Sequence, residues 1–126
     1  MGLDAYLAEL RDIDHEITAE GLSQLSGLVG AELEELERGW AAIPALRRYE
    51  IVTRLVEMAD ESVELDFYPV LRHALGDEEP MVRERAVAGL WETNDRTAIP
   101  LLIERLEHDI EDPVRASAAV ALGHFA

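Results

Sequence analysis

Apolar residues in the second half of the chain recur three and four positions apart. Phe67, Val70, Leu71 and Leu75 form one such run, and Ile99, Leu102, Ile103 and Leu106 form another. This is the spacing of a helix that buries a single stripe. Asp66 and Thr97 stand before these runs and suit helix N-caps. Pro69 and Pro100 follow in the first turn, where a missing N–H costs no intrahelical bond. Gly76 suits the left-handed position that ends the first run. Two more stripes come next: Val82, Ala86, Val87 and Leu90 after Pro80, and Val114, Ala118, Ala119 and Leu122 after Pro113. Proline at the first helical position is favourable, and Asp112 is placed to cap the latter helix. The small alanines at mid-stripe let neighbouring helices approach closely, and interlocking side-chain ridges then set their angle.

The first half carries the same kind of pattern. It predicts helices over Ala31–Ile43, with stripe Leu33, Leu36, Trp40 and Ile43, and over Pro44–Ala59, with stripe Ile51, Val52, Leu55 and Val56. Before them, Leu3, Tyr6, Leu7, Leu10, Ile13 and Ile17 fit one amphipathic helix or two short ones. The stretch Gly21–Gly30, with Ser23, Ser26 and Gly27, reads as a turn-rich connector.

The stripes belong to an internal repeat. Val82, Arg83, Ala86 and Leu90 recur as Val114, Arg115, Ala118 and Leu122 at an offset of 32, and Asp77 and Asp109 keep that offset. A weaker copy lies at an offset of 35, where Arg48, Val52, Leu55, Glu57 and Asp60 match Arg83, Val87, Leu90, Glu92 and Asp95. A helix pair repeated at this period cannot bury its apolar face alone and does so by stacking on its neighbours. The expected architecture is all-α: an α-solenoid of about three antiparallel helix pairs in one domain, 1–126. Residues 1–30 form an N-terminal helical cap and connector, 31–60 the first repeat, 66–93 the second and 97–126 the third. The last residues, Ala121-Leu122-Gly123-His124-Phe125-Ala126, are an apolar helix end. They fit either the N-terminal part of a longer array or a surface for self-association.

The run Asp77–Leu90 has the form Asp-x-x-Pro-x-Val-Arg-x-x-Ala-x-x-x-Leu, and Ala98–Leu106 would open the next unit. This pattern resembles HEAT repeats. Its alanine-rich second helices and closing Leu122-Gly123 are similar to the phycobilisome-lyase-type HEAT-like repeats widespread in bacteria. Trp91 departs from that family, which has Gly there. The resemblance implies a structural ladder in which Asp77 and Asp109 pair with Arg83 and Arg115, and Arg48 is a degenerate first rung.

Composition narrows the chemistry. The chain has 126 residues, 27 acids and 11 basic residues, all arginine, for a net charge of −16. Residues 1–66 carry net −11 and residues 67–126 net −5. Such an excess of anions opposes nucleic-acid binding, which needs clustered cations against phosphate. No apolar run approaches the roughly 20 residues that span a bilayer. Met1-Gly2-Leu3-Asp4 lacks the basic stretch of a secretory signal, so a cytoplasmic protein is expected. Without cysteine or lysine there is no disulfide, no thiolate and no phosphate-gripping lysine. His15, His73, His108 and His124 have no metal-ligand spacing, and Ser23, Ser26, Ser62 and Ser117 sit in no nucleophile elbow. Neither a metal, a cofactor nor a catalytic group is therefore expected.

What remains is a non-enzymatic protein–protein interaction scaffold or adaptor. Its partner is a protein or peptide, with a basic segment favoured by the charge. Second helices line the concave side of such an array, which makes Tyr49, Arg85 and Trp91 the candidate partner-binding residues, Trp91 foremost because Trp and Arg dominate interface energetics. Homo-association through the C-terminal helix is a further expectation. The alternative implied by the nearest repeat type is a phycobilin-lyase-like chromophore-handling protein, although no pigment-binding residue is recognisable.

Overall fold

The computed structural model describes residues 2–92 and 96–125, and among them every regular element is helical. In chain order these are α1 (Leu3–Arg11), α2 (Ala19–Leu22), α3 (Gly30–Trp40), α4 (Ala45–Glu61), α5 (Tyr68–Ala74), α6 (Pro80–Glu92), α7 (Ile99–His108) and α8 (Asp112–His124). Single 3₁₀ turns, Ser23–Leu25 and Arg96–Ala98, precede α3 and α7. Thr93, the expected end of the second repeat, and Asp95, the last identity of the weak copy, lie outside the described residues, as do Met1 and Ala126.

Most apolar stripes bury as the pattern requires; that of α7 does so only at Leu102, with Ile99 and Leu106 half-buried and Ile103 exposed. Leu36, Trp40 and Ile43 are in the core with Ile51, Val52, Leu55 and Val56 from α4. Val82, Ala86, Val87 and Leu90 of α6 are fully enclosed, as are Val114 and Ala118 of α8. Ala119 departs from its stripe and is exposed. At the start of the chain, α1 buries Leu3, Tyr6, Leu7 and Leu10 and then stops. Ile13 is left in solvent while Ile17 is buried beyond the break. The connector is more structured than its glycines and serines imply. Leu22, Leu25 and Leu28 are all buried, and a run of leucines spaced by three anchors it as α2 and a 3₁₀ turn.

Three local expectations are revised. Gly76 is not left-handed; among the described residues positive φ occurs at Gly27 and Gly30, which flank the entry to α3. Helix α5 ends instead through successive short-range bonds, Leu75 N–H to the Arg72 carbonyl, Gly76 N–H to His73 and Asp77 N–H to Ala74. These satisfy the last carbonyls without a left-handed residue. Asp112 is the first residue of α8 and makes no cap bond to its backbone, and Thr97 lies within the 3₁₀ turn before α7. Asp66 does accept from an amide, Tyr68 N–H at 3.1 Å.

The second helices form a contiguous row: α4 packs on α6, and α6 on α8. Helices α5 and α7 lie against α6 and α8 respectively, and α3 touches α5. The α4–α6 contact is close because Gly89 faces Val56, whose Cγ2 occupies the place a Cβ would need. Helix α1 packs on α3 and α2 on α4. Two arginines of α4 bind the N-terminal segment. Arg47 donates to the Leu10 and His15 carbonyls at 2.7 and 2.8 Å, and Arg54 donates to the Ile17 carbonyl at 2.5 Å.

Candidate interaction face and the arginine–aspartate rungs

The turns before α6 and α8 each carry an aspartate, whose carboxylate is fixed locally first. Asp77 Oδ1 accepts from Glu79 N–H at 2.9 Å, and Asp109 Oδ1 accepts from Glu111 N–H at 3.0 Å. That bend aims the rest of the carboxylate away from its own helix and toward the preceding second helix. Arg48 of α4 donates through Nη1 to both oxygens of Asp77 at 3.1 Å. Arg83 of α6 engages Asp109 as a two-pronged fork, Nε to Oδ2 at 2.8 Å and Nη2 to Oδ1 at 3.0 Å. Both pairs are almost wholly enclosed, and both aspartate side chains have no exposed surface.

The rungs therefore run across repeats. The expected pairing within a repeat, Asp77 with Arg83 and Asp109 with Arg115, takes a different form, because each arginine binds its own turn through the backbone. Arg83 Nη1 donates to the Asp77 carbonyl at 2.8 Å, and Arg115 Nη1 to the Asp109 carbonyl at 2.5 Å. Arg48, expected as a degenerate first rung, makes a full one. Each of Arg48 and Arg83 thus clips its repeat to the next, and Arg83 also ties its own turn.

Additional donors complete each carboxylate. Trp40 of α3 donates Nε1–H to Asp77 Oδ2 at 2.7 Å, a role that its place on the apolar stripe did not reveal. Arg105 of α7 lies 3.4 Å from Asp109 Oδ2. Burial by itself would raise the Asp109 carboxyl, but the hydrogen bond from Arg83, the Glu111 N–H and the charges of Arg83 and Arg105 outweigh it. Together they hold it below the usual carboxylate range. At the other end of the molecule, burial and the neighbouring Glu9 push the Tyr6 hydroxyl up to about 12, against the opposing charges of Arg54 and Arg47.

The row of second helices also carries a surface groove. Tyr49 of α4, Met81, Glu84, Arg85 and Ala88 of α6, and Ser117 of α8 line a depression of about 220 Å³. Tyr49 and Arg85 thus meet at one place. Arg85 is not a free cation there: its Nε donates to Thr53 Oγ1 at 3.2 Å and its Nη1 lies 3.5 Å from Glu92. Tyr49 is exposed, and so is Leu46 one turn earlier on α4. Trp91 does not line the groove. It sits half-buried at the far end of α6, with one face stacked on His124 at 3.7 Å and 7° between planes. The ring thus packs between α6 and α8 on that face while staying half-buried overall.

Among the described residues no group of three or more His, Asp or Glu is placed to hold a metal ion. The histidines meet single acids or rings: His15 beside Glu9, His73 beside Glu37 and Trp40, His108 beside Glu107. Glu32, Glu34 and Glu37 of α3 are exposed, as an acidic helix face requires. None of the helices described is long and apolar enough to cross a membrane.

Successive helices clipped by turn aspartates to an arginine two helices earlier define a helical-repeat protein. The family model for HEAT repeats matches residues 41–123, more than half of the chain, and the protein belongs to that family. No curated protein and no solved structure matches the chain.

Proposed function

We propose that the protein is a non-enzymatic interaction module: a short HEAT solenoid of three pairs, α3–α4, α5–α6 and α7–α8, with α1 and α2 as its N-terminal cap. HEAT repeats generally mediate protein–protein interaction, and the row α4–α6–α8 is the receiving side. The observation that carries this reading is the groove itself, which draws its walls from three successive second helices. A stacked array presents such a surface without spending core residues on it.

The groove's chemistry specifies a partner. Tyr49 and Met81 offer apolar contact, Glu84 adds a carboxylate, and the whole molecule carries −16. A peptide with one apolar anchor beside an arginine or lysine fits, and the net charge would speed its encounter at low salt. Peptides selected from a random display library against the full chain test this directly. Binders enriched in basic residues are expected, with affinity falling between 50 and 300 mM salt as ionic screening grows (about 10 Å of Debye length at 0.1 M). Tyr49→Ala, on an exposed side chain, is expected to weaken them at least about tenfold, in the range of interface anchors, while leaving the helical signal intact. Binders indifferent to Tyr49 and to salt would contradict the reading.

A further inference from the structure

Away from the row of second helices, the entry to α3 and the length of α5 leave a cavity between them. Leu28, Val29, Leu33, Tyr68 and Pro69 form apolar walls around about 490 Å³, more than twice the volume of the Tyr49 groove, and the two share no residue. The shape follows from the chain. Gly27 and Gly30, both at positive φ, turn the connector so that Leu28 enters the core while Val29 stays 72% exposed beside the cavity. On α5, Pro69, Arg72 and His73 are spaced by three and four and so line it from one helix face. Roughly 300–1,000 Å³ with apolar walls and a few polar groups is the form of a small-molecule site.

The polar groups decide which small molecule. Among the described residues Glu37 is the one acid in the lining, and it lies 3.8 Å from His73 Nδ1. Arg72 is exposed and, among the described residues, meets neither an acid nor a hydrogen-bond acceptor. The unanswered group at the cavity is therefore a guanidinium. We infer that the cavity binds a small hydrophobic carboxylate, with its hydrocarbon body against Val29, Leu33, Tyr68 and Pro69 and its carboxylate on Arg72. A guanidinium meets a carboxylate as a planar two-pronged fork, a geometry that an alcohol or an amine does not supply. The net charge of −16 opposes an anion at a distance, but salt screens that opposition beyond about 10 Å at 0.1 M, so contact with Arg72 decides.

Octanoate, octanol and octylamine share one hydrocarbon chain and differ in the head group. Each is titrated into the full chain at about 0.15 M salt, where the molecule's long-range field is screened, and followed through backbone amide NMR shifts. Octanoate is expected to give saturable shifts clustered at Val29, Leu33, Tyr68 and Arg72, with octanol at least about fivefold weaker, about the worth of one charge-assisted contact at a partly wet site, and octylamine weaker still. Arg72→Gln, on an exposed side chain, is expected to bring octanoate down to octanol's affinity while leaving octanol unchanged. Glu37→Gln removes the opposing carboxylate and is expected to tighten octanoate alone. Octanoate binding no tighter than octanol, shifts that do not saturate, or undiminished octanoate binding by Arg72→Gln would overturn the inference. Peptide binding at the Tyr49 groove reports separately on the other surface.

Discussion

The rung between α4 and the turn before α6 and the rung between α6 and the turn before α8 have the same two protagonists and different company. Asp77 is held by Arg48 through one nitrogen, while the Trp40 indole supplies the shortest bond. Asp109 is held by both prongs of Arg83, with Arg105 added from its own repeat. The repeat register explains the exchange. Leu75 stands where Trp40 stood, so no indole is available to Asp109, and Arg105, four residues before it, adds the missing donor. The cost is visible at Arg48, whose Nε is buried without a partner. A buried carboxylate needs its hydrogen bonds filled, and the sequence can change which element fills them while keeping the aspartate.

Breaking either rung at the aspartate should give the largest effect. Asp109→Ala leaves Arg83 enclosed with its charge uncompensated, and a loss of about 3–5 kcal/mol is expected, as for other buried pairs cut on one side. Chemical denaturation followed by circular dichroism measures it. Asp77→Ala should cost less if the indole, a neutral donor, carries part of that rung. Trp40→Phe sharpens the comparison: it keeps an aromatic ring of the core but removes the donor, with an expected cost of about 1–3 kcal/mol for a buried acceptor left short of a bond.

The smallest expected effect is one of pH. The Asp109 carboxyl lies below its ordinary value in the folded chain. Its contribution is therefore complete above the unfolded value of about 3.9 and is lost as pH falls through the lowered folded value. Melting points should hold steady from neutral pH down to the carboxylate range and then decline. Asp109→Asn should show a shallower acid limb; an unchanged limb would remove Asp109 from the account.

The helices, the repeat and the partners of the apolar stripes were legible because burial follows periodicity, and Val82, Val87 and Leu90 needed nothing else. Asp77, Asp109 and the three arginines stood out as well, since they recur with the stripes. Their pairing was not. Sequence offset joins Asp77 to Arg83 as neighbours, and only the bend at Glu79 N–H turns the carboxylate toward Arg48. Trp40 looked apolar because one donor on a large ring leaves the stripe pattern unchanged. The stacking of Trp91 on His124 was not legible, because the two residues come from different helices. Tyr49 and Arg85 were recognisable as surface positions of second helices. That they share one groove with Ser117 depends on how closely α4, α6 and α8 approach, and Gly89 against Val56 sets part of that spacing.

The claim that rungs join successive repeats is tested most directly by a pair of double-mutant cycles on one arginine. Arg83→Met is combined with Asp109→Asn in one cycle and with Asp77→Asn in the other, each read from urea unfolding. A coupling of about 2 kcal/mol or more is predicted for Arg83 with Asp109, within the range of residues sharing a buried network. Coupling near zero is predicted with Asp77, whose backbone carbonyl survives the substitution. A strong coupling to Asp77 and none to Asp109 would contradict the account and return the ladder to pairing within repeats.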